Sequence, residues 1–192
     1  MSVVPGKAKS AATMICFGSS RIIMGTTSEL GPIDPQIYVP KDGSFIRCSA
    51  HNIIQSYKEL FERAVGEKGN LQPYLLQLSR YDEREIKELQ AAIELSEDIA
   101  IRALKSGMMS EKTKDEIKNN IDIFLTPETT KVHGRPIYRD EGERHGICIE
   151  KIDNKEDFWH KIYELYIRTD NLVSTRASKC FESKDFSFIA NP

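Results

Sequence analysis

Apolar positions along this chain change their period, and the changes mark its sections. Val3-Val4 runs into Pro5-Gly6 and reads as a strand ending in a turn. Residues 10–18 carry Ala11, Ala12, Met14, Ile15, Cys16 and Phe17, which predicts a helix buried on nearly every side. Arg21-Ile22-Ile23-Met24 follows as a short strand closed by Gly25. Strand, tight turn, buried helix and strand make one unit of a parallel α/β sheet. Gly31-Pro32 and Asp34-Pro35 stiffen the next stretch, because a residue before proline is held towards extended backbone. Short strands are expected over 36–39 and 44–48, with a turn at 40–43.

From Ser49 the period becomes helical. Ile53, Ile54, Tyr57, Leu60, Phe61 and Ala64 share one face up to Gly66, and a short helix broken near Pro73 is expected over 71–78. A long helix over 82–105 has Ile86, Leu89, Ile93, Ile99, Ala100 and Leu104 on its apolar side, Asp82 as N-cap and Gly107 as C-cap. Residues 110–119 repeat the pattern with Ser110 as N-cap. After Thr126-Pro127, His133-Gly134-Arg135-Pro136-Ile137 opens a new unit, with a strand at 147–149 and a helix over 156–168 holding Phe158, Ile162, Leu165 and Tyr166 inward. The alternation Phe186 to Ile189 predicts an edge strand. The expected organisation is a single domain in three sections: an α/β unit over 1–48, a helical section over 49–125 and a C-terminal αβ segment over 126–192.

Composition narrows the partners. The 192 residues are 40% hydrophobic and 29% charged, with both signs interspersed and a net charge of -2, which gives no electrostatic reason to expect nucleic acid or an anionic membrane. Cys16, Cys48, Cys148 and Cys180 form no C-x-x-C pair and no zinc-ligand spacing, so four reduced thiols and no metal are expected, as in the cytoplasm. No stretch reaches the roughly 18–20 apolar residues of a spanning helix, and membrane association is expected only through an absent upstream segment.

Ser10 is the candidate for chemistry. A serine where a turn enters a helix meets free backbone N–H groups and a partial positive charge, which favour an alkoxide and an oxyanion. The Ala11 N–H could supply one oxyanion donor, and the small side chains of Ala11 and Ala12 allow a substrate backbone to come close. The plain alternative is that Ser10 is a helix cap and nothing more.

Lys9-Ser10-Ala11-Ala12-Thr13, then Leu30-Gly31-Pro32-Ile33-Asp34-Pro35-Gln36, and downstream His133-Gly134-Arg135-Pro136-Ile137 with Glu141 and Gly146-Ile147, together resemble the C-terminal part of the serine dehydrogenase proteinase family. These are Clp/crotonase-fold serine peptidases related to signal peptide peptidases. The resemblance implies an incomplete Clp-type α/β fold with a parallel sheet core, ATP-independent proteolysis through Ser10, a peptide or protein substrate, no cofactor, and a homo-oligomer. It leaves the general base open. Where Clp peptidases have a histidine this chain has Asp34, and Lys41, His51 and Lys58 are the other candidates. Lys9 is expected to orient substrate or face solvent, and His133 to serve backbone groups at a turn. His145 and His160 are expected at the surface, and Trp159 in core or interface.

In the resembled fold the nucleophile follows two βα units, one carrying a glycine-rich turn that supplies the second oxyanion donor. Ser10 has no such turn before it, so a missing N-terminal half is an expected partner, and the chain alone is expected to be a poor enzyme. One rival is a non-catalytic assembly or regulatory subunit of the same fold. Another is a crotonase-like acyl-CoA enzyme, which Ser10 and its neighbours disfavour because such sites need no serine nucleophile.

Overall fold

A computed structural model of the chain describes residues 1–125 and 133–191. In chain order its elements are β1 (Ser2–Val4), β2 (Lys7–Ala8), α1 (Ala11–Phe17), β3 (Ile22–Met24), β4 (Glu29–Leu30), β5 (Gln36–Lys41), β6 (Ser44–Ser49), α2 (Ala50–Gly66), α3 (Gln72–Leu78), α4 (Glu83–Ser106), α5 (Lys114–Asn120), α6 (Asp122–Leu125), β7 (Ile137–Tyr138), α7 (Arg139–Arg144), β8 (Ile149–Lys151), α8 (Asp157–Thr175), β9 (Lys179–Glu182) and β10 (Ser187–Ala190). The molecule is mixed α/β, with eight helices and four small sheets among the described residues. Thr126-Pro127 lies outside the described residues.

The centre is β3. It pairs in parallel with β1 and β8, Ile23 opposite Val3 and Ile22 opposite Ile149. All three β3 residues are buried, and they alternate. Ile22 and Met24 join the main core, while Ile23 joins a second cluster with Ile152 and Trp159. A strand buried on both faces reads as an unbroken apolar run, as Ile22-Ile23-Met24 does. α1 and α4 pack together over the main core, where Phe17 meets Phe124 edge to face at 5.2 Å. On the other face α8 presents Trp159, seated so closely on Gly25 that a side chain there would collide with the indole. A second small sheet sets β4 parallel to β2 and antiparallel to β7.

The helices begin and end where the sequence supplies caps. The Asp82 carboxylate accepts from Arg84 N at 2.7 Å, and the Arg84 side chain beside it holds that carboxyl below its ordinary range. Gly107 closes α4. Pro73 sits in the first turn of α3, where its missing N–H costs nothing, so the helix is not broken there. α5 starts later than the periodicity implies: Thr113, not Ser110, is the N-cap, because Thr113 and Glu116 form a reciprocal capping box.

Other expectations shift as well. α1 is too short to be covered all round, so Ala11, Ala12 and Ile15 face solvent, while Cys16 is buried and its thiol pushed up by that burial. The late strand is 149–151 rather than 147–149. α8 runs to Thr175, and its buried residue is Trp159, with Phe158 and Leu165 exposed. The edge strand near the C-terminus is β10, which forms an antiparallel hairpin with β9. Among the described residues no helix is long and apolar enough to cross a membrane.

Candidate functional site

Three sequence-distant patches meet beside Ser10. The segment from Leu30 to Gln36 is held at every residue. Leu30 O accepts from Lys9 Nζ at 3.0 Å, and Gly31 exchanges bonds with Thr13 Oγ1, which accepts from its N–H at 3.2 Å and donates to its carbonyl at 3.0 Å. Pro32 O accepts from Ser10 N at 3.2 Å, Ile33 N donates to Phe124 O at 2.8 Å, and Ile33 O accepts from the buried Ser96 hydroxyl at 2.7 Å. Pro35 O takes the first amide of α2, from Ala50, at 2.9 Å. Gln36 Nε2 donates to Asp34 Oδ2 at 2.6 Å.

Asp34 is buried, and its other oxygen lies 2.5 Å from His133 Nδ1. With the carboxylate ionised, Nδ1 must carry the proton and donate it. His133 Nε2 is then the ring's acceptor nitrogen. It is buried and has no hydrogen-bond partner among the described residues. Two residues on, Arg135 O accepts from Lys9 Nζ at 3.3 Å, and Arg135 Nη2 donates to Glu141 at 2.6 Å. Ile137 pairs with Leu30 across β4 and β7.

Ser10 stands between β2 and α1 with φ 52° and ψ -117°. L-residues rarely adopt this backbone, and such outliers persist only where the surroundings over-determine them. Its hydroxyl does not cap α1 and has no partner among the described residues. The Ala12 N–H turns back to Lys9 O at 3.0 Å and the Met14 N–H to Ser10 O at 3.2 Å, while no carbonyl among the described residues takes the Ala11 N–H. A half-exposed hydroxyl on a strained strand-to-helix turn, beside a free amide, is the local geometry of a nucleophile elbow.

Of the residues singled out from sequence, Ser10, Ala11 and Asp34 therefore gather around one segment. His51 and Lys58 do not join it: they lie on α2, and neither bonds to residues 30–36, while Lys41 is the last residue of β5. Lys9 is half-buried and tied into the fold. Its ammonium bridges Glu29 at 3.2 Å and the two carbonyls, and its stem lies against Gly31, where any side chain would clash. His133 serves the Asp34 carboxylate rather than backbone groups. His145 is half-buried, with Nδ1 3.1 Å from Asn120 O, and His160 is exposed.

Sequence reasoning gave no site role to Thr13 or Ser96, and gave His133 only backbone groups at a turn. A threonine within an otherwise apolar helix was the readable sign of the first. Ser96 had none, since its partner is a backbone carbonyl 63 positions away. All four cysteines are free thiols, and no metal-binding group of His, Cys, Asp or Glu occurs among the described residues. Comparison with family models, curated proteins and solved structures finds no match.

Proposed function

We propose that this chain is a serine peptidase, or the nucleophile-bearing part of one, with a Clp-type fold, in which Ser10 attacks, His133 is the base and Asp34 orients His133. The observation that carries the reading is a strained, unbonded Ser10 whose N–H is held by Pro32 O, on the same segment where the buried Asp34 bonds His133 and leaves the outer ring nitrogen unpartnered among the described residues. A carboxylate alone is a poor base for a hydroxyl, whereas an imidazole held in one tautomer by a buried carboxylate is well matched to it.

In the forward step the Ser10 oxygen bonds to the substrate carbonyl carbon as His133 Nε2 takes the hydroxyl proton. The carbonyl oxygen gains the negative charge and faces the Ala11 N–H. The C–N bond then breaks, and the imidazolium returns its proton to the leaving amine. Water, deprotonated by the same nitrogen, cleaves the acyl ester and restores Ser10. Ser10 and His133 share no hydrogen bond in this conformation, and catalytic contacts in unliganded enzymes commonly tighten only when substrate arrives.

The same missing contact favours a second reading: a non-catalytic assembly or regulatory subunit of this fold. A fluorophosphonate probe decides between them, because it labels only activated serines. Labelling should map to Ser10, vanish in Ser10→Ala and fall about 100-fold or more in His133→Ala. A second donor supplied in trans by an upstream βα unit should raise it. Labelling that ignores His133→Ala would sink the proposed base, and none under any condition would favour the non-catalytic subunit.

A further inference from the structure

A cleft of about 1040 Å³ lies between the β5–β6 hairpin, α2 and α4, and meets the candidate site at His133 and Gly134. Ser10 does not line it. Its volume suits a ligand of several residues. Its floor is apolar: Ile37, Ile53, Ile86 and Leu89 line it, with Ile37 and Ile53 packed on the Ala50–Ile54–Leu89 cluster.

Two further observations concern backbone and polar atoms. β5 contributes five consecutive residues, Gln36 to Pro40. Side chains of a strand alternate, so a consecutive lining means that the β5 backbone also borders the cleft. Among the described residues β5 pairs only with β6, which leaves its other edge of N–H and C=O groups open. Second, Ser49 Oγ and His133 Nε2 are two of the three buried polar side-chain atoms that lack a partner among the described residues, and both residues line the cleft. Ser49 occupies the N-cap position of α2, yet its hydroxyl makes no capping bond. Buried polar atoms are almost always paired, and an orphan at a cleft wall points to a partner that arrives with a ligand.

We propose that this cleft binds an extended peptide bearing a bulky apolar side chain. That side chain enters between Ile53 and Leu89, and the peptide backbone pairs along β5 and satisfies Ser49. The proposal rests on the peptidase reading, for which it names the substrate class. The mouth carries Arg47 and Arg80 with Glu85 and Glu88, so no single-sign field selects a small anion. Open backbone groups beside an apolar floor match a peptide better than an alkyl chain, which has no donors or acceptors along its length.

The test is fluorescence anisotropy on the full chain carrying Ser10→Ala, so that nothing is turned over. The probes are fluorescein-labelled nonapeptides with a central Phe or a central Gly. The Phe peptide should bind about tenfold or more tightly than the Gly peptide. Asn52→Trp replaces an exposed cleft residue by a bulky one and should cost about tenfold in affinity for the Phe peptide, with circular dichroism unchanged. Ser49→Ala should weaken both peptides severalfold. Equal binding of the two peptides, indifference to Asn52→Trp, or binding of dodecanoate but of neither peptide would each overturn the proposal. Peptide binding in a protein whose Ser10 never labels would leave the cleft standing and remove the peptidase.

Discussion

Around β3 the buried side chains include hydroxyls. Thr13 and Ser28 are fully enclosed, and each is bonded to backbone, Thr13 to Ala8 and Gly31, Ser28 to Gly25. In the helical layer of α2 and α3 the situation is inverted. Phe61, Val65, Leu75 and Leu76 face solvent, Leu76 at 60% exposure. One region spends polar groups on fixing a backbone, and the other leaves apolar groups uncovered. The difference shows where strain can be kept. Ser10 holds its unfavourable backbone only because Thr13, Lys9 and Pro32 pin the turn from three directions, and no comparable set of bonds exists in α2 and α3.

The sharpest way to break this comparison is to truncate one phenylalanine in each region. Phe17→Ala should cost about 3–5 kcal/mol, whereas exposed Phe61→Ala should stay within about 0.5 kcal/mol, both read from urea unfolding. Similar costs would mean that the two layers are equally packed. Thr13→Val is nearly isosteric and strips the hydroxyl, leaving Ala8 O and Gly31 N–H short of a partner. The expected loss is about 1–3 kcal/mol, against almost nothing for Thr175→Val on the exposed side of α8. The smallest effect carries the opposite sign. Ser10→Gly should stabilise the chain by about 1 kcal/mol, since glycine accepts φ 52° and ψ -117° without a Cβ penalty. Asp42 also has positive φ, at 50°, but it lies at the tip of the β5–β6 hairpin before Gly43, where Asp-Gly suits the turn. Asp42→Gly should therefore shift the melting temperature far less than Ser10→Gly. A melting temperature lowered by Ser10→Gly would show that Ser10 stores no strain.

The periodic elements were largely legible. The buried run Ile22-Ile23-Met24, the caps Asp82 and Gly107, and the α2 face declared themselves because each is local. The two-residue strands β2, β4 and β7 did not, since two residues show no period. The inward face of α8 was misjudged because one large indole seated on Gly25 covers the sheet, not a periodic stripe. At the site, Ser10, Ala11 and Asp34 were visible from neighbouring residues. His133 was noted within its motif, but its pairing with Asp34 was not, because a contact across 99 positions leaves no mark on its local sequence.

The knot around Leu30 to Gln36 has a consequence for how the chain comes into being. Its bonds span 63 positions from Ile33 to Ser96, 99 from Asp34 to His133 and 126 from Lys9 to Arg135. Closing such long loops costs entropy before any contact repays it, so these bonds form late. During synthesis Ser10 leaves the ribosome well before Arg135, and the last ties to its neighbours cannot be made until Arg135 has emerged. A chain made only as far as residue 130 thus has Ser10 without the Asp34–His133 pair and without the Lys9–Arg135 tie beside it.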